Sequence, residues 1–126
     1  MKTIYLRKAP RTTNKKWEVT LPDGKVVRFG ALGYEDFTTH GDPRRMVRYV
    51  VRHGGVGTNA LAHNDIIRIM SKRRKSTKEN WSTRGINTPG FWSRWLLWSY
   101  PKMDDAIKFM QRHVLSKDKY RIVKRR

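Results

Sequence analysis

The octet Phe91–Trp98 is the most apolar stretch of the 126-residue chain, with three tryptophans, one phenylalanine and two leucines. In a helix Trp95 follows Phe91 by about one turn, so the large rings share a face. Thr88-Pro89-Gly90 supplies an N-cap candidate and a proline at the first helical position, and Tyr100-Pro101 ends the helix. We predict a short core helix. The alternative, in which these tryptophans stack on bases, is weaker because leucines lie between them.

Short segments that alternate apolar and polar residues predict a small sheet. The strand-like segments are residues 2–8, 16–21 and 25–29, with 119–123 as a candidate last strand. Pro22-Asp23-Gly24 joins the second and third segments, because proline presets φ and glycine accepts positive φ. Residues 15–29 are therefore predicted to form a β-hairpin.

Helix signals recur along the rest of the chain. Asp42-Pro43 begins a predicted helix, which Gly54-Gly55 ends. Its apolar face carries Met46, Tyr49, Val50 and His53, and its other side carries Arg44, Arg45, Arg48 and Arg52. Residues 65–70 form a candidate short helix with Asn64 as cap. Residues 103–115 carry an apolar stripe made of Met103, Ile107, Met110 and Val114.

These elements predict one α+β domain over residues 1–126. A small antiparallel sheet with an N-terminal β-hairpin would be packed by three or four short helices. Residues 54–80 are predicted as an inserted basic loop or helix, and residues 124–126 as a basic tail. No apolar run approaches the ~18 residues that span a bilayer, so we expect no transmembrane segment.

The charge is the first indication of function. Lys and Arg total 29 against 10 Asp and Glu, which gives a net charge of +19. Residues 1–63 carry a net +7 and residues 64–126 a net +12, so the excess is spread along the chain. Such a charge repels itself and calls for an acidic partner. Nucleic acid, an acidic protein shell or an anionic membrane surface would each serve, and the remaining alternative is a highly soluble surface without a partner.

Enzyme motifs are absent from the sequence. There is no cysteine, and the four histidines show no metal-ligand spacing. The carboxylate pairs Glu35-Asp36 and Asp104-Asp105 are neighbours that do not share a helix face. Gly30-x-x-Gly33 lacks the rest of a phosphate-binding loop. We therefore expect a protein that is not an enzyme and that needs no metal or cofactor.

Basic side chains are the candidate contacts to nucleic acid or another acidic partner. No pattern of residues identifies a base-reading element, so phosphate contacts would be non-specific. The candidates are Arg44, Arg45, Arg48 and Arg52 on the predicted helix, Lys72, Arg73, Arg74 and Lys75 on a predicted exposed loop, and Lys124, Arg125 and Arg126 at the tail.

Several motifs together resemble a family of small basic proteins of unassigned activity from nucleocytoplasmic large DNA viruses, including algal-virus and mimivirus-like members. The motifs lie between about residues 15 and 110. They are Trp17-Glu18-Val19 to Gly24–Ala31, Gly33–His40, Asp42 with Arg45, Tyr49, Arg52 and His53, Glu79-Asn80-Trp81, Gly85-Ile86, and Thr88–Trp98. In the family the Arg-His pair is soon followed by the Glu-Asn-Trp element, so residues 54–78 resemble an insertion.

The resemblance implies a viral context but no catalytic residues. Our first hypothesis is a non-enzymatic virion structural protein, either a minor capsid or an internal virion protein, whose basic surface bridges acidic capsid proteins, membrane or genome. The alternative is a sequence-nonspecific DNA- or RNA-binding protein that acts during infection. The expected locations are the virion and, during infection, the host cytoplasm or nucleus. Peripheral contact with a membrane is left open.

Overall fold

Four strands form a single mixed sheet in this computed structural model, which describes residues 1–125. The strands are β1 (Lys2–Lys8), β2 (Lys15–Thr20), β3 (Val26–Ala31) and β4 (Tyr120–Lys124), in the order β3-β2-β1-β4. The first three pair antiparallel, whereas β4 pairs parallel to β1 with Ile122 opposite Ile4. The predicted α+β fold with its N-terminal hairpin is confirmed. The parallel strand makes the sheet mixed rather than antiparallel throughout.

The hairpin turn forms for the reason that the sequence indicates. Gly24 has a φ of +90°, a conformation that glycine adopts without steric cost. Its amide donates to the Leu21 carbonyl at 2.9 Å, and the Leu21 amide donates to the Lys25 carbonyl at 2.8 Å. The Asp23 carboxylate accepts from the Lys25 amide at 3.0 Å, which closes the turn.

Five α-helices lie in the described chain between β3 and β4. They are α1 (Phe37–His40), α2 (Pro43–Arg52), α3 (His63–Met70), α4 (Pro89–Trp92) and α5 (Met103–Met110). Helices α4 and α5 each continue into a π-helical turn, Ser93–Leu97 and Gln111–Leu115. Short 3-10 turns occur at Arg11–Thr13, Thr83–Gly85 and Ser116–Asp118. The predicted helices at 43–53, 91–98 and 103–115 are therefore present.

Helix caps explain two of these starts and correct one prediction. The Asp42 carboxylate accepts from the Arg44 amide at 2.9 Å, with Pro43 at the first helical position as predicted. The Asp36 carboxylate caps α1 in a reciprocal pair with Thr39. The prediction that Asn64 caps α3 is wrong, because the helix begins at His63 and has no side-chain cap.

The core lies on one face of the sheet, beneath the helices. Ile4 and Leu6 of β1 point into it, as their alternation predicts, together with Phe29 of β3. Trp92 and Trp95 are fully buried, which confirms that the apolar octet belongs to the core. Trp98 is half-buried and packs against the same cluster.

The segment between α2 and the Glu79-Asn80-Trp81 element begins and ends at neighbouring points of the structure. The Thr77 amide donates to the Gly54 carbonyl at 3.0 Å, so the two ends of residues 54–77 lie side by side. Within this segment Ile66 and Met70 of α3 are buried in the common core. Residues 54–77 therefore form a segment whose two ends are hydrogen-bonded to each other and whose helix α3 contributes to the core.

Candidate anion-binding cleft

A cleft of about 800 Å³ opens between the β2–β3 end of the sheet, α2 and the start of α4. Its walls combine basic, aromatic and acidic side chains. The lining residues are Lys15, Lys16, Phe29, Gly30, Ala31, Gly33, Tyr34, Glu35, Asp36, Arg45, Arg48, Tyr49, Arg52, His53, Pro89, Ser93, Leu97 and Trp98. Many of these residues belong to the motifs that carry the viral resemblance described above.

One stripe of α2 forms the basic wall of the cleft. Arg45, Arg48 and Arg52 follow each other at intervals of three and four residues, so they lie on one side of the helix. At 1.5 Å per residue, this row extends roughly 10 Å along the helix axis. Arg44, which was predicted with them, instead lies beside Val47 and Leu61 in a separate, smaller groove that Arg48 also borders. The structure thus brings three of the four predicted arginines together.

Positive charge exceeds negative charge in the cleft. Five Lys and Arg side chains line it against two carboxylates, Glu35 and Asp36. Glu35 pairs with Arg45 at 3.5 Å. Within residues 1–125, Arg48 and Arg52 make no ion pair. Two exposed guanidinium groups are therefore available to an anion.

Lys16 has a structural role at the floor of the cleft. Its Nζ atom donates to the Asp36 carboxylate at 2.8 Å and to the Tyr34 carbonyl. Asp36 is itself buried and accepts from the Thr38 amide at 2.8 Å. Lys16 therefore fixes the loop between β3 and α1 against the sheet.

Stacked rings form the wall behind the arginines. The Tyr49 ring stacks on Trp98 with centroids 4.4 Å apart and planes 3° apart, and on its other side it stacks on His53 at 4.1 Å. Burial raises the pKa of the Tyr49 hydroxyl well above its usual value, so the phenol is neutral at physiological pH. His40 packs on Trp98 at 5.4 Å, and burial, followed by the charge of Arg45, lowers its pKa.

His53 is oriented by a carboxylate that follows residues 54–77 in the chain. Its Nδ1 atom lies 2.6 Å from Oε2 of Glu79. The other carboxylate oxygen, Oε1, accepts from the indole nitrogen of buried Trp81 at 2.8 Å. A Cβ on Gly90 would lie 2.6 Å from Glu79 Oε1, so glycine leaves the room that this carboxylate occupies. The ring of His53 is thus held in one orientation at the edge of the cleft.

The basic run at 72–75 divides into two kinds of side chain. Lys72 and Lys75 are exposed, as predicted for a solvated loop. Arg73 and Arg74 are half-buried and donate to the carbonyls of Gly57 at 3.2 Å and His113 at 2.7 Å, respectively. The two arginines therefore hold the protein together, and the lysines are the part of the run that faces solvent.

The tail residues lie in a different basic groove, formed with Arg7, Lys8 and Trp17. The Arg125 guanidinium lies 3.9 Å from the Tyr5 ring centroid, and Lys124 Nζ lies 5.7 Å from the Trp17 centroid. This groove shares no lining residue with the cleft. Arg126, also a predicted contact, lies outside the described residues.

Residues that sequence reasoning missed include Lys15 and Lys16, Tyr34, and the pair of His53 with Glu79. The pair of adjacent lysines at the start of β2, Lys15 and Lys16, was the only feature of the sequence that pointed to the floor of the cleft. His53 and Glu79 are 26 residues apart, and no periodicity links them.

Residues 1–125 contain no group of three or more His, Asp or Glu side chains that could hold a metal ion. Across the same residues, no helix has the length and apolar character needed to cross a bilayer.

Comparison with known proteins covers the cleft except for its α4 side. Residues 5–53 match a family of unknown function (DUF5754). The matched region runs from Tyr5 in β1 to His53, so it includes most of β1, all of β2 and β3, the β3–α1 loop and the arginine stripe of α2. The α4 side of the cleft falls outside it. No curated protein and no solved structure matches the chain significantly.

Proposed function

We propose that this protein binds nucleic acid without sequence specificity, through phosphate contacts in the basic cleft. One observation carries the proposal: Arg48 and Arg52 line a concave site in which cations outnumber carboxylates five to two, and neither makes an ion pair within residues 1–125. A planar guanidinium presents several donors that match phosphate oxygens.

The spacing of the stripe supports a polymeric anion rather than a single phosphate. Arg45 and Arg52 are seven residues apart on one helix face, roughly 10 Å along the axis. More than one phosphate of a strand could therefore contact α2 at the same time. Each contact releases condensed counterions, which is the usual source of non-specific affinity.

Binding to a fluorescently labelled oligonucleotide, followed by anisotropy over a salt series, tests the proposal. With at most five phosphate contacts, one for each cation of the cleft, affinity for duplex DNA falls by at most roughly 500-fold between ~50 and ~200 mM salt. The double variant Arg48→Ala/Arg52→Ala should weaken binding and reduce the slope of log affinity against log salt by roughly 2, because each phosphate contact contributes about 0.9.

The matched control is Arg112→Ala/Lys117→Ala, which removes the same charge from exposed positions outside the cleft. The control should retain most of the affinity. A flat salt response, or an equal loss in both double variants, would reject the cleft as the binding site.

A second candidate function is a structural role in a viral particle, as a minor capsid or internal protein. The distribution of charge favours it, since the tail groove lies apart from the cleft and offers a second basic surface. Two such surfaces could bridge acidic capsid proteins, a membrane surface or genome. This proposal also places the protein in the virion and in the cytoplasm or nucleus of the infected cell.

Stepwise stripping of purified particles into shell and nucleoprotein fractions, with quantitative mass spectrometry, separates these roles. Recovery with the shell at a fixed ratio to the major capsid protein supports an architectural role. Recovery with the genome, released by rising salt, supports nucleic-acid binding. Absence from the particles excludes the virion role.

A further inference from the structure

Tyr34 stands out among the aromatic residues of the cleft because its ring is in solvent. It is 73% exposed, whereas Phe29 is fully buried and Tyr49 is 7% exposed. A large ring held in water gains favourable contacts when a flat apolar surface stacks on it.

The backbone beneath this ring is fixed. The Tyr34 carbonyl accepts from Lys16 Nζ, and its amide donates to the Ala31 carbonyl at 3.4 Å. Gly33 has a φ of +84°, which turns the chain sharply out of β3. Asp36, two residues later, is locked by its capping box. The side chain is therefore presented from an ordered loop, which reduces the conformational entropy lost when a ligand binds.

The ring and the available guanidinium groups belong to the same cleft. Tyr34 lies on its loop wall, and Arg48 and Arg52 lie on its helix wall. The neighbouring residue Glu35 reaches across to Arg45 at 3.5 Å and so joins the two walls. A ligand in the cleft could contact an aromatic face and cations together. Proteins use this combination to bind single-stranded nucleic acid.

We propose that the cleft selects single-stranded over double-stranded nucleic acid, with a base stacked on Tyr34 and backbone phosphates on Arg48 and Arg52. This inference rests on the proposed function. In a duplex the base faces are stacked on each other and only base edges and backbone are exposed. An unpaired strand can turn a base onto Tyr34 while its backbone enters the cleft.

The test compares an oligothymidylate with a duplex of the same length by anisotropy under identical salt. The wild-type protein should bind the single strand more tightly. Tyr34→Ala should weaken single-strand binding by about 5- to 150-fold, the range expected for loss of one stacked base. Its duplex affinity should fall far less than its single-strand affinity, because no phosphate contact is removed.

Two further variants make the result specific. Tyr34→Phe retains the ring and should keep wild-type single-strand affinity. Leu61→Ala removes another exposed apolar side chain, 78% exposed and outside the cleft, and should have no effect. Equal losses in Tyr34→Ala and Tyr34→Phe would overturn stacking in favour of a hydroxyl contact.

The experiment also separates this inference from the function on which it rests. Equal affinity for single and double strands, with no effect of Tyr34→Ala, overturns the inference while salt-dependent binding through Arg48 and Arg52 stands. Absence of binding to either probe overturns the proposed function itself. Circular dichroism and thermal unfolding of each variant exclude misfolding as the cause of a loss.

Discussion

Arg94 donates a hydrogen bond from Nη2 to the carbonyl oxygen of Met70 at 2.5 Å, so the buried turn after α4 holds the end of α3. Arg94 is fully buried, and its Nη1 atom donates to the Trp98 carbonyl at 2.8 Å. Its guanidinium lies 4.7 Å from the Trp95 ring centroid. Burial lowers the pKa of Arg94 to about 10, which still leaves the group charged at neutral pH. Backbone carbonyls and aromatic faces, rather than a carboxylate, solvate this charge.

Arg94→Ala should therefore destabilise the fold strongly. The substitution leaves carbonyl groups of two chain segments without their donor and opens a cavity beside Trp95. We expect a loss of about 3–5 kcal/mol in the free energy of unfolding, because each buried carbonyl that loses a donor costs about 1–3 kcal/mol and the cavity adds to this loss. Urea denaturation measures it. Arg112→Ala, at an exposed position, should stay within ~0.5 kcal/mol of the wild type, and an equal midpoint for both variants would contradict this role.

Trp95→Ala tests the assignment of the apolar octet to the core. Trp95 is fully buried, and its indole nitrogen donates to the Trp81 carbonyl at 2.9 Å. Truncation should cost roughly 3–5 kcal/mol, as for large aromatic residues in other cores, and thermal unfolding should show a lowered midpoint. A variant that keeps its stability but loses nucleic-acid binding would place this tryptophan at an interface instead.

Glu18 links stability to pH through two arginines on neighbouring strands. It is fully buried between Arg7, at 2.7 Å, and Arg28, at 3.0 Å. Burial alone would raise the pKa of Glu18, but hydrogen bonds and charges from the two arginines outweigh it and lower the pKa below its usual value. A lowered carboxyl pKa stabilises the fold above the unfolded-state pKa of about 4.3, and this stabilisation is lost as pH falls through the folded-state pKa.

Glu18→Gln should accordingly reduce stability at pH 7 by about 1–3 kcal/mol, since charge-assisted hydrogen bonds are lost. The difference from the wild type should shrink as pH falls below the unfolded-state pKa of about 4.3, and it should vanish once pH has passed through the lowered folded-state pKa of Glu18. Urea midpoints across this range measure the effect. A gap that stays constant with pH would show that the charge of Glu18 does not stabilise the fold.

In the basic run at 72–75, we expect some side chains to stabilise the fold and others only to face solvent. Arg74 donates to the His113 carbonyl at 2.7 Å, and its guanidinium lies 5.7 Å from the Trp95 ring centroid. Arg74→Ala should cost about 1–2 kcal/mol of stability. The matched pair Lys72→Ala and Lys75→Ala should leave stability unchanged and change salt-dependent binding little, because both lysines face solvent outside the cleft. Denaturation and anisotropy on the same three variants distinguish the two roles, and equal stability of all three would refute the division.

Local sequence patterns predicted most of the helices and strands, because interactions between residues close together in the chain determine where they form. The alternation of Ile4 and Leu6, the Pro22-Asp23-Gly24 turn and the Asp42-Pro43 cap each act within a few residues. Helix α1 was missed although its signal was local, since Asp36 and Thr39 form a capping box. The cap at Asn64 was misplaced because α3 begins at His63 without a side-chain cap, so no capping residue marks its start.

The candidate site was only partly predictable for a different reason. The arginine stripe of α2 follows from its helical period, but Arg44 and Arg45 are adjacent, and only the packing of the helix decides which of them lines the cleft. Arg73 and Arg94 look like any other basic residues in the sequence. Their burial depends on carbonyl oxygens supplied by distant segments.

The sequence by itself determined the charge, the hairpin, the helix starts and the core character of the octet, since these depend on composition and local periodicity. Only the tertiary structure decided that β4 pairs parallel to β1, that Glu79 orients His53, and that Tyr34 shares a cleft with Arg48 and Arg52. Such contacts join residues far apart in the chain. Their formation depends on how the buried faces of all the elements pack together, and no single segment encodes that.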